Sequence, residues 1–234
     1  MGDLSHGELA SSYAASQQRI DDMTRSLDAE ALSTVVPCCP AWTVKDLVGH
    51  LTGLLEDRRA GRLPTGDFAD WTNAQVQRHA DEPMEAVLDE WRNLPLELDD
   101  APPSLLALSF DVVTHEHDMC HALGVPGDST TDSVRIGARR AAERMSSMLT
   151  TGGAPGVVVT TDDGDELVGG ALAPIGLHTS HFELMRLVTG RMSAAQAAGL
   201  SWDGDASGAI DALFTDGFFT LQPTDVIEQL RPTG

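Results

Sequence analysis

Residues 109–124 read SFDVVTHEHDMCHALG, and this stretch decides how the chain is interpreted. Its apolar residues recur at helical spacing and it ends at a glycine, so we predict a helix over residues 104–123. On that helix Asp111, His115 and Asp118 are spaced i, i+4 and i+7 and therefore share one face. Apolar residues occupy the same face, so we expect it to point inward.

Buried carboxylate and imidazole groups need partners, because an unpaired buried polar group costs about 1–3 kcal/mol. A divalent metal ion would satisfy Asp111 and His115 together, since both reach it from the same side of the helix. His117 and His121 are also one turn apart, on a different face, and form a rival pair of ligands. Spacing alone does not decide between the two faces.

A third ligand must come from another helix, and His50 is the candidate. Thr43, with Asp46 three residues later, has the pattern of a capping box, which predicts a helix that runs to about residue 61. His50 lies one turn from Leu47 on the apolar stripe of this helix. The alternative is that His50 is a core histidine with ordinary hydrogen-bond partners.

The first half of the chain has helical periodicity throughout, and its composition changes near residue 150. The sequence TTGGAPG there indicates a linker, and residues 156–170 then have the pattern of a strand, an Asp-Gly turn and a second strand. We also predict a helix over 7–27 and a helix over 68–98. The second of these is interrupted at Pro83, and Asp81 caps its second piece. Further predicted elements are a helix after Thr131, a strand over 175–178 and a helix from Ser180. We therefore predict a mainly α fold, with a helical bundle over 1–150 and a small α+β domain over 151–234.

Composition and charge argue against nucleic-acid partners, membrane partners and secretion. The formal charge of −21 repels phosphate backbones, so nucleic-acid binding is not expected. No run of about 18 apolar residues occurs, so no membrane partner is expected. The polar, acidic N-terminus lacks a secretion signal, and three cysteines are too few for a disulfide framework. We expect a soluble, cytoplasmic protein; the sequence does not indicate its oligomeric state.

The passage VPCCPAWTVKDLVGHLTG, residues 36–53, resembles the opening of the mycothiol-dependent maleylpyruvate isomerase family, part of the DinB-like superfamily of thiol-dependent metalloenzymes. Residues 39–44 match its Cys-Pro-x-Trp-Thr-Val turn, and His50-Leu51 match its His-Leu pair. Residues 111–124 match its acid-x3-His-x2-Asp helix that ends in Ala-x-Gly. Residues 180–196, SHFELMRLVTGRMSAAQ, resemble the family's small second domain.

The resemblance implies a DinB-type antiparallel four-helix bundle followed by the small α+β domain. It also implies that His50, Asp111 and His115 bind one divalent metal ion, most often zinc, with nickel or manganese as alternatives. His117 and His121 then become bystanders. One departure is that the isomerase itself has Glu at the position of Asp111.

Three protein ligands leave a position open, which is typical of a catalytic metal site. The resemblance implies that mycothiol occupies it as the thiol cosubstrate, for isomerisation of a small electrophile or for transfer of the thiol to it. Asp118 either orients a ligand or pairs within its helix, and Arg191 either binds a substrate carboxylate or interacts with a helix dipole. Alternative functions are a metal-dependent hydrolase and a non-catalytic small-molecule-binding module of the same fold.

Overall fold

The computed structural model describes residues 4–96, 101–161, 164, 166–170 and 172–232. The chain forms two compact units, Met1–Gly127 and Asp128–Gly234. The first unit is helical and the second combines helices with a four-stranded sheet, so the predicted mainly α class is confirmed. None of the helices in the described part of the chain is both long and apolar enough to cross a membrane.

Helices dominate the first unit, and a two-stranded antiparallel sheet precedes the third helix. The elements are α1 (His6–Thr24), α2 (Ala29–Leu32), β1 (Val35–Val36), β2 (Cys39–Thr43), α3 (Val44–Arg59), α4 (Phe68–His79), α5 (Met84–Asn93) and α6 (Ala101–Leu123).

Capping residues explain where these helices begin. Thr43 accepts from the Asp46 N–H while the Asp46 side chain accepts from the Thr43 N–H, so the predicted capping box of α3 is confirmed. The predicted cap at Asp81 is wrong. Helix α5 begins after Pro83, which occupies the N-cap position and makes no side-chain capping bond, because the proline ring carries no hydrogen-bonding group.

The core of the first unit lies between α3 and its neighbours. Leu47, Leu51 and Leu55 on α3 are at most 1% exposed, and burial of each contributes about 1.5–3 kcal/mol. The Trp91 Nε1–H of α5 donates to the Tyr13 hydroxyl of α1 over 2.8 Å, which satisfies both polar groups inside the core.

Helices α1 and α6 run in the same direction, so not every pair in the bundle is antiparallel as expected. Leu9 near the start of α1 accepts from Ser109, and Met23 near its end meets Cys120. Rising residue numbers on α1 therefore match rising numbers on α6.

Helices α3 and α4 approach unusually closely at Gly53. A Cβ atom at residue 53 would lie 2.7 Å from the Gln75 Cβ and 3.0 Å from its Cα, closer than such atoms come in proteins. Only glycine allows this separation, which brings the side chains of α4 within reach of those of α3.

The second unit packs its helices against a sheet of strand order β4-β3-β5-β6, in which β3 and β5 are parallel. Its elements are α7 (Asp132–Thr151), β3 (Pro155–Thr160), β4 (Glu166–Gly169), β5 (Leu172–His178), α8 (His181–Val188), α9 (Ala194–Ala198), β6 (Ser201–Asp203) and α10 (Ser207–Leu213). The predicted strand pair is β3 and β4. The residues of the predicted Asp-Gly turn between them lie partly outside the described residues.

The boundary between the units lies after Gly127, earlier than the predicted boundary near residue 150. Helix α7 packs on α8, α10 and the sheet, and so belongs to the second unit. The expected linker is instead a tight helix-to-strand turn, in which Gly153 has φ +63° and the Ala154 N–H donates to the Leu149 carbonyl.

Candidate metal centre

Helix α3 carries His50 into the interior, where only 4% of the residue is exposed. Its Nε2 lies 3.3 Å from Oδ2 of Asp111 on α6. On the same helix, the His115 Nε2 lies 3.7 Å from the Asp111 Oδ1. One ligand atom from each of the three residues lies within 4.8 Å of the other two, so the structure brings the predicted group together.

These separations fit a single bound ion. Bonds of about 2.0–2.2 Å at tetrahedral angles place neighbouring ligand atoms about 3.4 Å apart. The 3.3 and 3.7 Å separations bracket that value. Two imidazoles and one carboxylate are also a common donor set for zinc and similar divalent ions. The residues present therefore fit a divalent metal ion.

A chain of hydrogen bonds orients His50. Its Nδ1 lies 2.8 Å from the Gln75 Oε1, and the Gln75 Nε2 donates to Asp57 over 2.8 Å. Because an ionised carboxylate only accepts, Gln75 must turn its oxygen toward His50, and Nδ1 must carry the proton. The Nε2 lone pair of His50 then faces Asp111.

Asp57 is the last residue in this series of hydrogen bonds. It is a buried carboxylate, 1% exposed, with two arginine partners. Its Oδ1 accepts from Arg62 Nε over 2.7 Å and from Arg78 Nη2 over 2.8 Å. In both hydrogen bonds a guanidinium N–H donates to the carboxylate. A fixed acceptor at Asp57 keeps the Gln75 amide in one orientation.

Asp118 plays the corresponding part for His115. Its Oδ2 lies 3.0 Å from the His115 Nδ1, and its side chain is fully buried. From this position Asp118 would orient His115 if that histidine binds a metal ion, and this role stays a prediction. Cys39 Sγ also donates to this carboxylate over 3.8 Å, so this cysteine lies beside the site.

One aromatic side chain covers the two imidazole rings. The Trp42 ring lies 4.8 Å from the His50 ring, centroid to centroid, and 6.3 Å from that of His115. Burial raises the pKa of Tyr13, the hydrogen bond from Trp91 opposes this, and the Asp111 charge raises that pKa further. The phenol therefore stays neutral beside the carboxylate.

The rival histidines lie elsewhere. His117 is 1% exposed and packs against Gly127, where an added Cβ would lie 2.6 Å from its Nδ1. His121 is half-buried. Within the described part of the chain, neither histidine joins a group of side chains arranged to hold a metal ion.

Arg191 lies in the second unit and is 6% exposed. Its Nη1 donates to the Thr189 carbonyl over 2.8 Å, and its Cζ lies 5.5 Å from the centroid of the Phe219 ring. These contacts fit the predicted position just beyond the end of helix α8. Its contact with a substrate carboxylate stays a prediction.

Sequence reasoning missed Gln75 and the role of Trp42 in covering the rings. Gln75 reaches His50 only because α4 packs closely on α3, and no spacing along one helix reports such a contact. Trp42 belongs to a recognisable motif, but its ring position depends on the turn between β2 and α3.

Comparisons with known proteins bear on the family resemblance of the first unit and on the fold. Residues 13–107 match the family described as mycothiol maleylpyruvate isomerase N-terminal domain, which confirms the resemblance over that part of the chain. Two crystal structures of a mycothiol-dependent maleylpyruvate isomerase, one of a histidine-to-alanine mutant, share the fold. Each has a TM-score of 0.57 at 16% identity, over 86% of this chain and 93% of theirs. No curated protein matches the chain.

Proposed function

We propose that this chain is a divalent-metal- and mycothiol-dependent isomerase or S-transferase acting on a small electrophile. The proposal rests on the match of residues 13–107 to the mycothiol maleylpyruvate isomerase N-terminal domain. The observation that supports it best is the convergence of His50, Asp111 and His115. Their ligand atoms meet within 4.8 Å, and both histidines have an oriented second nitrogen.

Aspartate at position 111 is compatible with this proposal. Its side chain is one methylene shorter than the glutamate of the isomerase, yet its two oxygens lie 3.3 and 3.7 Å from the two Nε2 atoms. The shorter carboxylate therefore still bridges the two histidines. The departure from the family pattern bears on the choice of substrate more than on metal binding.

The chain's own residues prepare the site for a thiol. Gln75 and Asp118 accept from the two Nδ1–H groups, so both Nε2 lone pairs face inward. A divalent ion held there would supply the Lewis acidity that keeps a thiol ionised at neutral pH. The Asp111 side chain is 31% exposed, whereas those of His50 and His115 are 4% and 7% exposed. Mycothiol and the electrophile would therefore approach past Asp111.

Metal content tests the site. We expect His50→Ala and His115→Ala each to carry one divalent ion fewer per chain than the wild type, measured by plasma mass spectrometry on tag-free protein. His117→Ala and His121→Ala are matched controls on helix α6 and should keep the wild-type content. Loss of the ion in the controls and its retention in the first two variants would contradict the assignment.

Activity tests the chemistry that follows. The proposal expects turnover of maleylpyruvate, or of another small electrophile, only when mycothiol is added, and none in His115→Ala. Turnover without thiol would indicate a metal-dependent hydrolase instead. Electrophile binding that persists without metal and without turnover would indicate a non-catalytic binding module.

A further inference from the structure

A second group of ligating side chains lies in the first unit, on helices α3, α4 and α5. Glu56, His79 and Glu90 each place one ligand atom within 4.8 Å of the other two. None of the three belongs to the group formed by His50, Asp111 and His115. Each comes from a different helix, so the group forms only when the three helices pack together.

His79 is the residue that points to a ligand. It is 4% exposed, and its Nε2 is buried without a hydrogen-bond partner. Its Nδ1 lies 3.0 Å from the Glu82 carboxylate, which only accepts when ionised, so Nδ1 carries the proton. The Nε2 lone pair therefore points toward the Glu56 Oε2, 3.7 Å away. With the imidazole neutral, two acceptors face each other there, and a cation between them would satisfy both.

The charges around His79 also favour a cation. Three carboxylates lie near the His79 ring: Glu82 and Glu90 are 3.0 and 3.9 Å from its Nδ1, and Glu56 is 3.7 Å from its Nε2. Arg78 pairs with Glu56 over 3.0 Å, but its guanidinium also forms an ion pair with Asp57. The cluster therefore keeps a surplus of negative charge that one arginine does not neutralise.

We propose that Glu56, His79 and Glu90 bind a second divalent metal ion, with Glu82 holding the His79 ring in place. One imidazole and two carboxylates suit zinc or manganese. The Glu90 side chain is 44% exposed, so the ion reaches the cluster from solvent and keeps water on its open side. By joining α3, α4 and α5, the ion stabilises the helix packing that positions Gln75.

Ion counting on the full-length chain tests this site separately from the first. The His115→Ala variant, stripped with chelator, should bind one Mn²⁺ per chain in titrations followed by electron paramagnetic resonance. Adding Glu90→Gln should abolish that binding. Glu85→Gln removes a charge from the same helix at a side chain that is 79% exposed, and should leave it unchanged.

Two results would overturn the second site: no Mn²⁺ bound by His115→Ala, or equal binding after Glu90→Gln is added. Glu90→Gln in the otherwise wild-type chain provides an independent measure, since it should lower the total by one ion. That difference survives even if His115→Ala leaves the metal content unchanged, so failure of the first site and failure of the second are distinguishable. Thermal melting with and without Mn²⁺ gives a second readout, since Mn²⁺ should raise the Tm of His115→Ala and leave that of the double variant unchanged.

Discussion

Gln75 is a buried amide that orients His50, one of the proposed metal ligands. The residue is fully buried and joins His50 to Asp57. We expect Gln75→Leu to keep the packing volume but to remove the acceptor for the His50 Nδ1–H. Metal affinity at the first site should fall about 10- to 100-fold, the usual effect of losing such a partner.

A chromophoric zinc chelator in competition with the protein measures this affinity, and a Glu90→Gln background removes the contribution of the second cluster. Gln77→Leu makes the same chemical change at an exposed position of α4 and should have no effect. Equal affinities for the two variants would show that Gln75 only fills space.

The sequence revealed the parts of the site that lie on one helix. Asp111 and His115 share a face of α6, so their spacing predicted their proximity, although it left His117 and His121 as rivals. His50 required a contact between helices and became a firm candidate only through the family resemblance. Gln75 had no signal at all, because its role depends on the distance between α3 and α4.

At the scale of elements, the segment after α10 is held against α7 by Arg144. Its Nη2 lies 2.8 Å from the Asp216 Oδ2, and its Cζ lies 5.1 and 5.0 Å from the rings of Phe218 and Phe219. Burial alone would raise the pKa of Asp216. Hydrogen bonds from the Phe218 N–H and from Arg144 outweigh burial and hold that pKa below its ordinary value of 3.8.

Because its pKa is lowered in the folded state, the ionised Asp216 side chain stabilises the folded protein. The folded state binds the Asp216 proton more weakly than the unfolded state, so the contribution is full above pH 3.8 and is lost as the pH falls through the folded value. We expect Asp216→Asn to lower the Tm near neutral pH and the gap from wild type to close in acid. Melting curves from neutral pH to about pH 2.5 check this; a gap that is constant over that range would contradict it.

Helices were predicted better than strands for a physical reason. The starts of α3 and α7 can be recognised in the sequence from Thr43 and Thr131, whose side chains cap the adjacent backbone. The strands β1, β2 and β6 are short and were missed, because their pairing depends on partners that only the folded chain brings together.

At the scale of the whole molecule, the boundary after Gly127 makes a prediction about fragments. A fragment of residues 1–127 should melt cooperatively, because it contains its own core. A fragment of residues 1–150 should bind a hydrophobic dye and associate, because it carries α7 without the partners that bury this helix. Its buried face comprises Val134, Ala138, Ala141, Met145 and Leu149. Size-exclusion chromatography and dye fluorescence compare the two; a monomeric longer fragment that binds no dye would favour a boundary near residue 150.

The close approach at Gly53 has a consequence for how this protein could diverge. A methyl group there would meet Gln75 at 2.7 Å and move it away from His50. Residue 53 is itself neither a proposed ligand nor a partner of one, yet the displaced Gln75 would alter the orientation of the His50 imidazole. Sequence variants that retain every metal-site residue can therefore differ in metal affinity through the spacing of two helices, and a comparison of ligands alone would not reveal the difference.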